Sequence, residues 1–118
     1  MKKAVILIGI IFVLCSCGSQ KAQVNNIACS ERTALISEGA ILIDVRSEVE
    51  FKSNHLDGAI NLNYETIDKT IEEKVSDKDT KIIVYCQSGN RSATAAQKLI
   101  NLGYTNVYDM GGITKCND

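Results

Sequence analysis

The chain is 118 residues long, 45% hydrophobic and 23% charged, with a net charge of −1. That length holds one domain of ordinary size, and the composition is globular rather than disordered. The charge balance gives no footing to nucleic acid as a partner, and with tryptophan and proline absent and few aromatics the core is expected to be mainly aliphatic.

Lys2-Lys3 followed by the apolar run Ala4 to Leu14 is too short to span a bilayer, which takes about 20 residues. The pattern is that of a secretory signal peptide over residues 1–16. Leu14-Cys15-Ser16-Cys17 resembles the lipobox of bacterial lipoproteins. That resemblance implies cleavage before Cys17 and a lipid on Cys17, so the membrane would be a partner through the anchor. An uncleaved membrane anchor is the plainer alternative. Either reading puts the domain outside the cytoplasm, where disulfides persist; the lipobox reading anchors it by lipid, on the periplasmic side or the cell surface. Residues 17–25 are small and polar and are expected to be a tether, with one domain over residues 26–118.

Asn26 to Cys29 is expected as a short strand. Ser30 has the chemistry of an N-cap, with Glu31 in the first turn of a short helix that carries Ala34, Leu35 and Ile36 and stops near Gly39. Ile41-Leu42-Ile43 reads as a strand buried on both faces, ending at Asp44-Val45-Arg46. Ser47-Glu48-Val49-Glu50 is a capping-box pattern opening a helix through Phe51. Ala59 to Leu62 reads as a strand and Tyr64 to Val75 as a helix, with Ile67, Ile71 and Val75 on one face.

The next stretch carries the chemistry. After Lys81, Ile82 to Tyr85 is an apolar run that stops at Cys86; Gln87-Ser88-Gly89-Asn90 follows, then Arg91 and a helix expected from about Ser92 to Leu102. A cysteine between a strand end and a helix start sits where backbone N–H groups converge and the helix dipole is positive. That setting favours the thiolate, which is the nucleophile. Asn106 to Met110 is expected as a last strand, turned by Gly111-Gly112. Strands alternating with helices predict an α/β fold with a mainly parallel sheet, whose ligands bind beyond the carboxyl ends of the strands. Asp44 and Cys86 both follow such ends and are expected to face one site. A buried carboxylate that anchors a loop or pairs with a cation is an equal reading of Asp44.

Three cysteines, Cys29, Cys86 and Cys116, lie in the body of the chain. One disulfide among them would leave one free thiol. There is no CxxC pair and no Cys/His cluster, and His55 is the only histidine; a structural zinc site is not expected, nor is any other cofactor.

Ile43-Asp44-Val45-Arg46, Glu50-Phe51, His55 to Asn61, Cys86 to Ser92 and Gly111-Gly112-Ile113 resemble, in order and spacing, the rhodanese-like domain. The resemblance spans roughly Asn26 to Ile113. It implies a single α/β domain with a five-stranded sheet flanked by helices on both faces, and sulfur transfer through a persulfide on Cys86. A small sulfur-containing anion such as thiosulfate would be the donor, and a protein thiol, small thiol or cyanide the acceptor. Backbone N–H groups of Gln87, Ser88, Gly89, Asn90, Arg91 and Ser92 are then the expected cradle for the transferred sulfur. Arg91 is expected to supply positive charge, although a surface arginine that merely opens the helix is the plainer reading. Asp44, Arg46 and His55 are expected as supporting residues, Arg46 in structural ion pairs and His55 as scaffold. The protein is expected to act as a monomer. Cysteine phosphatases carry one more residue between cysteine and arginine than the four found here, so a phosphatase or arsenate reductase is a weaker alternative, and a non-catalytic sulfur carrier or binding module another. After Gly111-Gly112 the family usually has an aromatic residue and a helical segment; here Ile113-Thr114-Lys115-Cys116 stands there. Because the family's first strand lies beside its last, Cys29 and Cys116 are expected to be close. A disulfide between them would contribute about 2–4 kcal/mol and leave Cys86 as the free thiol; two free cysteines are the alternative.

Overall fold

A computed structural model describes residues 22–116. The expected signal peptide, the Cys17 lipidation site and most of the tether lie outside the described residues. Five strands form one sheet: β1 (Asn25–Asn26), β2 (Ile41–Asp44), β3 (Ile60–Asn61), β4 (Lys81–Cys86) and β5 (Asn106–Gly112). Their order is β1-β5-β4-β2-β3, and every pairing is parallel. Four helices connect them: α1 (Arg32–Ser37), α2 (Glu48–Ser53), α3 (Ile67–Lys74) and α4 (Asn90–Asn101). The longest strand-to-strand contact runs through β4, which is central and buried from Ile82 to Cys86.

Alternation along the strands builds two cores. Ile43, Val45, Ile82, Val84, Cys86 and Val107 face α3 and α4, where Ile67, Ile71, Ala95, Ala96 and Leu99 are fully buried. Leu42, Ile83, Tyr85 and Met110 face the other way and pack with Cys29, Leu35 and Leu56. The face expected of α3, Ile67, Ile71 and Val75, is thus buried where helical periodicity puts it. On α1 only Leu35 reaches the sheet; Ala34 and Ile36 are exposed, because a six-residue helix has too few turns to bury a wide stripe.

Several boundaries differ from the reading of the sequence. The first strand begins at Asn25, and Ala22 and Val24 already pack against the core, so the tether gives way to the domain earlier. Ser30 caps nothing. It lies inside a 3₁₀ turn, Cys29–Glu31, and Glu31 reaches back to accept from the Ala28 N–H at 2.8 Å. α3 begins at Ile67 rather than Tyr64, since the Tyr64 and Thr66 N–H groups bond to Val45 and Asn63 carbonyls in a turn. α4 begins at Asn90, with Gly89 at its N-cap. A second 3₁₀ turn, Ile113–Lys115, follows β5, and Cys116 beyond it is joined to Cys29 by a disulfide, Cα–Cα 5.5 Å. Cys86 is the free cysteine among the described residues.

Candidate active site

β4 delivers Cys86 to the carboxyl edge of the sheet, 1% exposed. The chain then turns through Gln87 and Ser88 to Gly89, whose φ of +114° lies in the region that favours glycine. That conformation aims the Gly89 N–H back at Cys86 Sγ, 3.0 Å away. It also opens α4, so the sulfur sits at the positive end of a 12-residue helix. Ser92 is buried, and its hydroxyl donates to the Gly89 carbonyl at 3.1 Å, holding the turn closed. Gln87, Ser88 and Asn90 are exposed at the rim.

Arg91 lies in the first turn of α4 but does more than open it. Its guanidinium grips Glu50 with both nitrogens, Nη1 to Oε1 at 2.7 Å and Nη2 to Oε2 at 3.0 Å. Glu50 also completes the capping box of α2, accepting from the Ser47 N–H and hydroxyl while Ser47 Oγ accepts from the Glu50 N–H. The Arg91 hydrogen bonds, and secondarily those from Ser47, lower the Glu50 carboxyl to about 2. Glu50 in turn raises Arg91, and the charge of Cys86 adds to the rise in smaller measure. The arginine is thus a cation fixed by Glu50, near enough for the charge of Cys86 to act on it. Sequence reasoning missed Glu50 as a site residue; its capping role accounted for it fully, and the arginine that it holds is 41 residues away.

Asp44 and Cys86 do not face one site. Asp44 is in register with Tyr85, so its side chain points to the face opposite the Cys86 sulfur. It is fully buried and takes a two-pronged ion pair from Arg46, Nε to Oδ1 at 3.0 Å and Nη2 to Oδ2 at 2.7 Å. Arg46 adds a bond to the Asn54 carbonyl and one from Nη1 to Gln87 Oε1 at 3.2 Å. The buried pair therefore braces the loop from behind. Above it, burial pushes the Tyr85 hydroxyl up, and that oxygen accepts from the Leu56 N–H. His55 is exposed and stacks on Phe51, ring centroids 3.7 Å apart, with Nδ1 2.7 Å from the Phe51 carbonyl. It finishes α2, holding one of the last carbonyls of the helix.

A sequence profile of the rhodanese-like domain matches residues 29–117. The thiosulfate sulfurtransferase GlpE of Pseudomonas syringae is 34% identical over 90 residues, which are 76% of this chain and 83% of that one. The thiosulfate sulfurtransferase PspE of Escherichia coli is 37% identical over 71 residues, 60% of this chain and 68% of that one. Among solved structures, a rhodanese with anions from E. coli superposes with a TM-score of 0.64 at 33% identity, covering 67% of this chain and 93% of that one. A human single-domain sulfurtransferase superposes at 0.65 with 25% identity, over 74% and 88% of the two chains. The chain belongs to the rhodanese-like domain family and is a rhodanese-type sulfurtransferase.

Proposed function

We propose that the chain takes a sulfane sulfur from an anionic donor such as thiosulfate onto Cys86 and passes it to a thiol or cyanide. The observation that carries this reading is the Gly89 N–H aimed at the Cys86 sulfur at a helix start. The Cys86 thiolate attacks the outer sulfur of thiosulfate. The sulfur–sulfur bond breaks, its electron pair leaves with sulfite, and Cys86 holds a persulfide. In the second step the acceptor attacks the outer sulfur of that persulfide. Its bond to Cys86 breaks, and the thiolate is restored as thiocyanate or an acceptor persulfide leaves.

Fixed dipoles suit both steps. The Gly89 N–H and the amino end of α4 oppose the negative charge that passes between the two sulfurs, without reorganising during the reaction. Arg91, already fixed by Glu50, attracts the dianionic donor and stabilises the persulfide anion. With four residues between Cys86 and Arg91, the loop is a cradle for one sulfur atom rather than for a tetrahedral oxyanion. Two displacements through a covalent intermediate predict ping-pong kinetics. Initial rates with thiosulfate and cyanide varied together should give parallel double-reciprocal lines; intersecting lines would overturn the mechanism.

The enzyme is further proposed to work outside the cytoplasm as a monomer, anchored by lipid on Cys17. Lys2-Lys3, the apolar run and Leu14-Cys15-Ser16-Cys17 support this, as does a disulfide in the domain. Radiolabelled fatty acid should enter the wild-type chain and be absent from Cys17→Ser; equal labelling would overturn the anchor.

A further inference from the structure

The far side of the Cys86 loop rests on the end of β5. A register shift between Val84 and Tyr85 skips Met110 and sets Gly112 opposite Cys86. There the two backbones touch: a Cβ on Gly112 would collide with the Gln87 carbonyl and lie 2.9 Å from Ser88 Cα. The 3₁₀ turn that follows carries Thr114, whose hydroxyl donates to that same Gln87 carbonyl at 3.3 Å. Two residues later Cys116 is bonded to Cys29. Cys29 is itself fixed, buried in the second core, with its carbonyl and sulfur accepting from Arg32 Nη1.

We propose that the disulfide-anchored turn Ile113–Cys116 braces the catalytic loop, with Thr114 as a positioning residue and the Cys29–Cys116 bond as its tie. The Gln87 carbonyl belongs to the peptide that leads into Ser88 and Gly89. A hydrogen bond on that oxygen restrains the rotation of the peptide planes that aim the Gly89 N–H at sulfur. Without the tie, the turn that carries Thr114 loses its covalent hold on the second core, and less firmly held segments open more readily. The brace also makes the loop sensitive to reductants. Cys116 lines a cleft of about 400 Å³ with His55, Leu56, Gln87 and Thr114, which gives a thiol access from solvent. A dithiol would open the bond by two exchange steps, its two electrons leaving Cys29 and Cys116 as thiols and the dithiol itself becoming a disulfide.

This inference rests on the sulfurtransfer reading, so its test has one readout that does not. Four proteins are compared: wild type, the double variant Cys29→Ser/Cys116→Ser, Thr114→Val and Thr114→Ser. Variants are used because a reductant would also strip the persulfide. The first readout is the rate of sulfur loading from thiosulfate. The second is amide hydrogen exchange of the peptide spanning 86–92, against that of β2. Expected are loading slowed about fivefold in the double variant and in Thr114→Val, the size of one lost hydrogen bond, with faster exchange confined to the loop. Thr114→Ser should restore both. Wild-type loading and loop exchange in Thr114→Val would overturn the proposal, whatever the double variant does. If the double variant does not fold, the Thr114 pair decides alone. A wild-type protein that takes up no sulfur refutes the sulfurtransfer reading, while loop exchange still reports on the brace.

Discussion

Glu50 and Arg91 meet through two parallel hydrogen bonds of 2.7 and 3.0 Å, and this pair fixes the one cation of the loop beside Cys86. The two residues come from different helices, α2 and α4, so the pair also locks the β2–α2 connection to the loop. Charge-assisted, two-pronged contacts of this kind are the strong ones. Glu50→Gln keeps the shape of the side chain and its capping role but lets Arg91 swing. We expect kcat/KM for thiosulfate to fall about tenfold, the scale of a hydrogen bond between charged groups. Most of the loss should appear in KM, since an anionic donor is what a misplaced cation fails to hold. Steady-state kinetics of the variant check this.

The same pair shapes the acid limb of stability. Glu50 is lowered to about 2 in the folded protein, against about 4.3 in an unfolded chain. A carboxyl with a depressed folded value stabilises the fold above its unfolded value and loses that contribution as pH falls towards the folded one. The difference in unfolding free energy between wild type and Glu50→Gln should be constant above about pH 5 and shrink between about pH 4.5 and 2. Because both side chains are about one-third exposed, salt should shrink it too. Denaturant titrations across that range measure it.

Removing the carboxylate of Asp44 should be costlier. Asp44 is 0% exposed and Arg46 2%, so Asp44→Ala leaves a buried guanidinium without its counter-ion. Loss of one partner of a buried pair costs about 3–5 kcal/mol. The variant should unfold well before wild type in thermal melts. Because Asp44 faces away from the sulfur, whatever fraction stays folded should still load Cys86. A folded variant that melts like wild type but loads no sulfur would instead put Asp44 in the chemistry.

The loop and its helix were legible in the sequence because local signals agree there. An apolar run sets β4, Gly89 marks the turn, and Ala95, Ala96, Leu99 and Ile100 repeat at helical spacing in α4. What was hidden depends on register or on distance. Whether Asp44 shares a face with Cys86 turns on a single residue: in register with Tyr85 rather than Cys86, it points the other way. The hold of Glu50 on Arg91 joins residues with no periodic relation. Gly112 read as a bend, yet it is needed for its close approach to the Gln87 carbonyl, which no local pattern announces. Cys116 looked like a departure from the family; the disulfide gives it a place in the fold.

The central claim is that Cys86 carries the sulfur, and intact-mass measurement addresses it most directly. The soluble domain is incubated with thiosulfate, freed of excess donor and weighed. We expect a gain of one sulfur atom, located on the peptide containing Cys86, absent in Cys86→Ser and removed by cyanide. No gain with any sulfane-sulfur donor, or an equal gain in Cys86→Ser, would contradict the account.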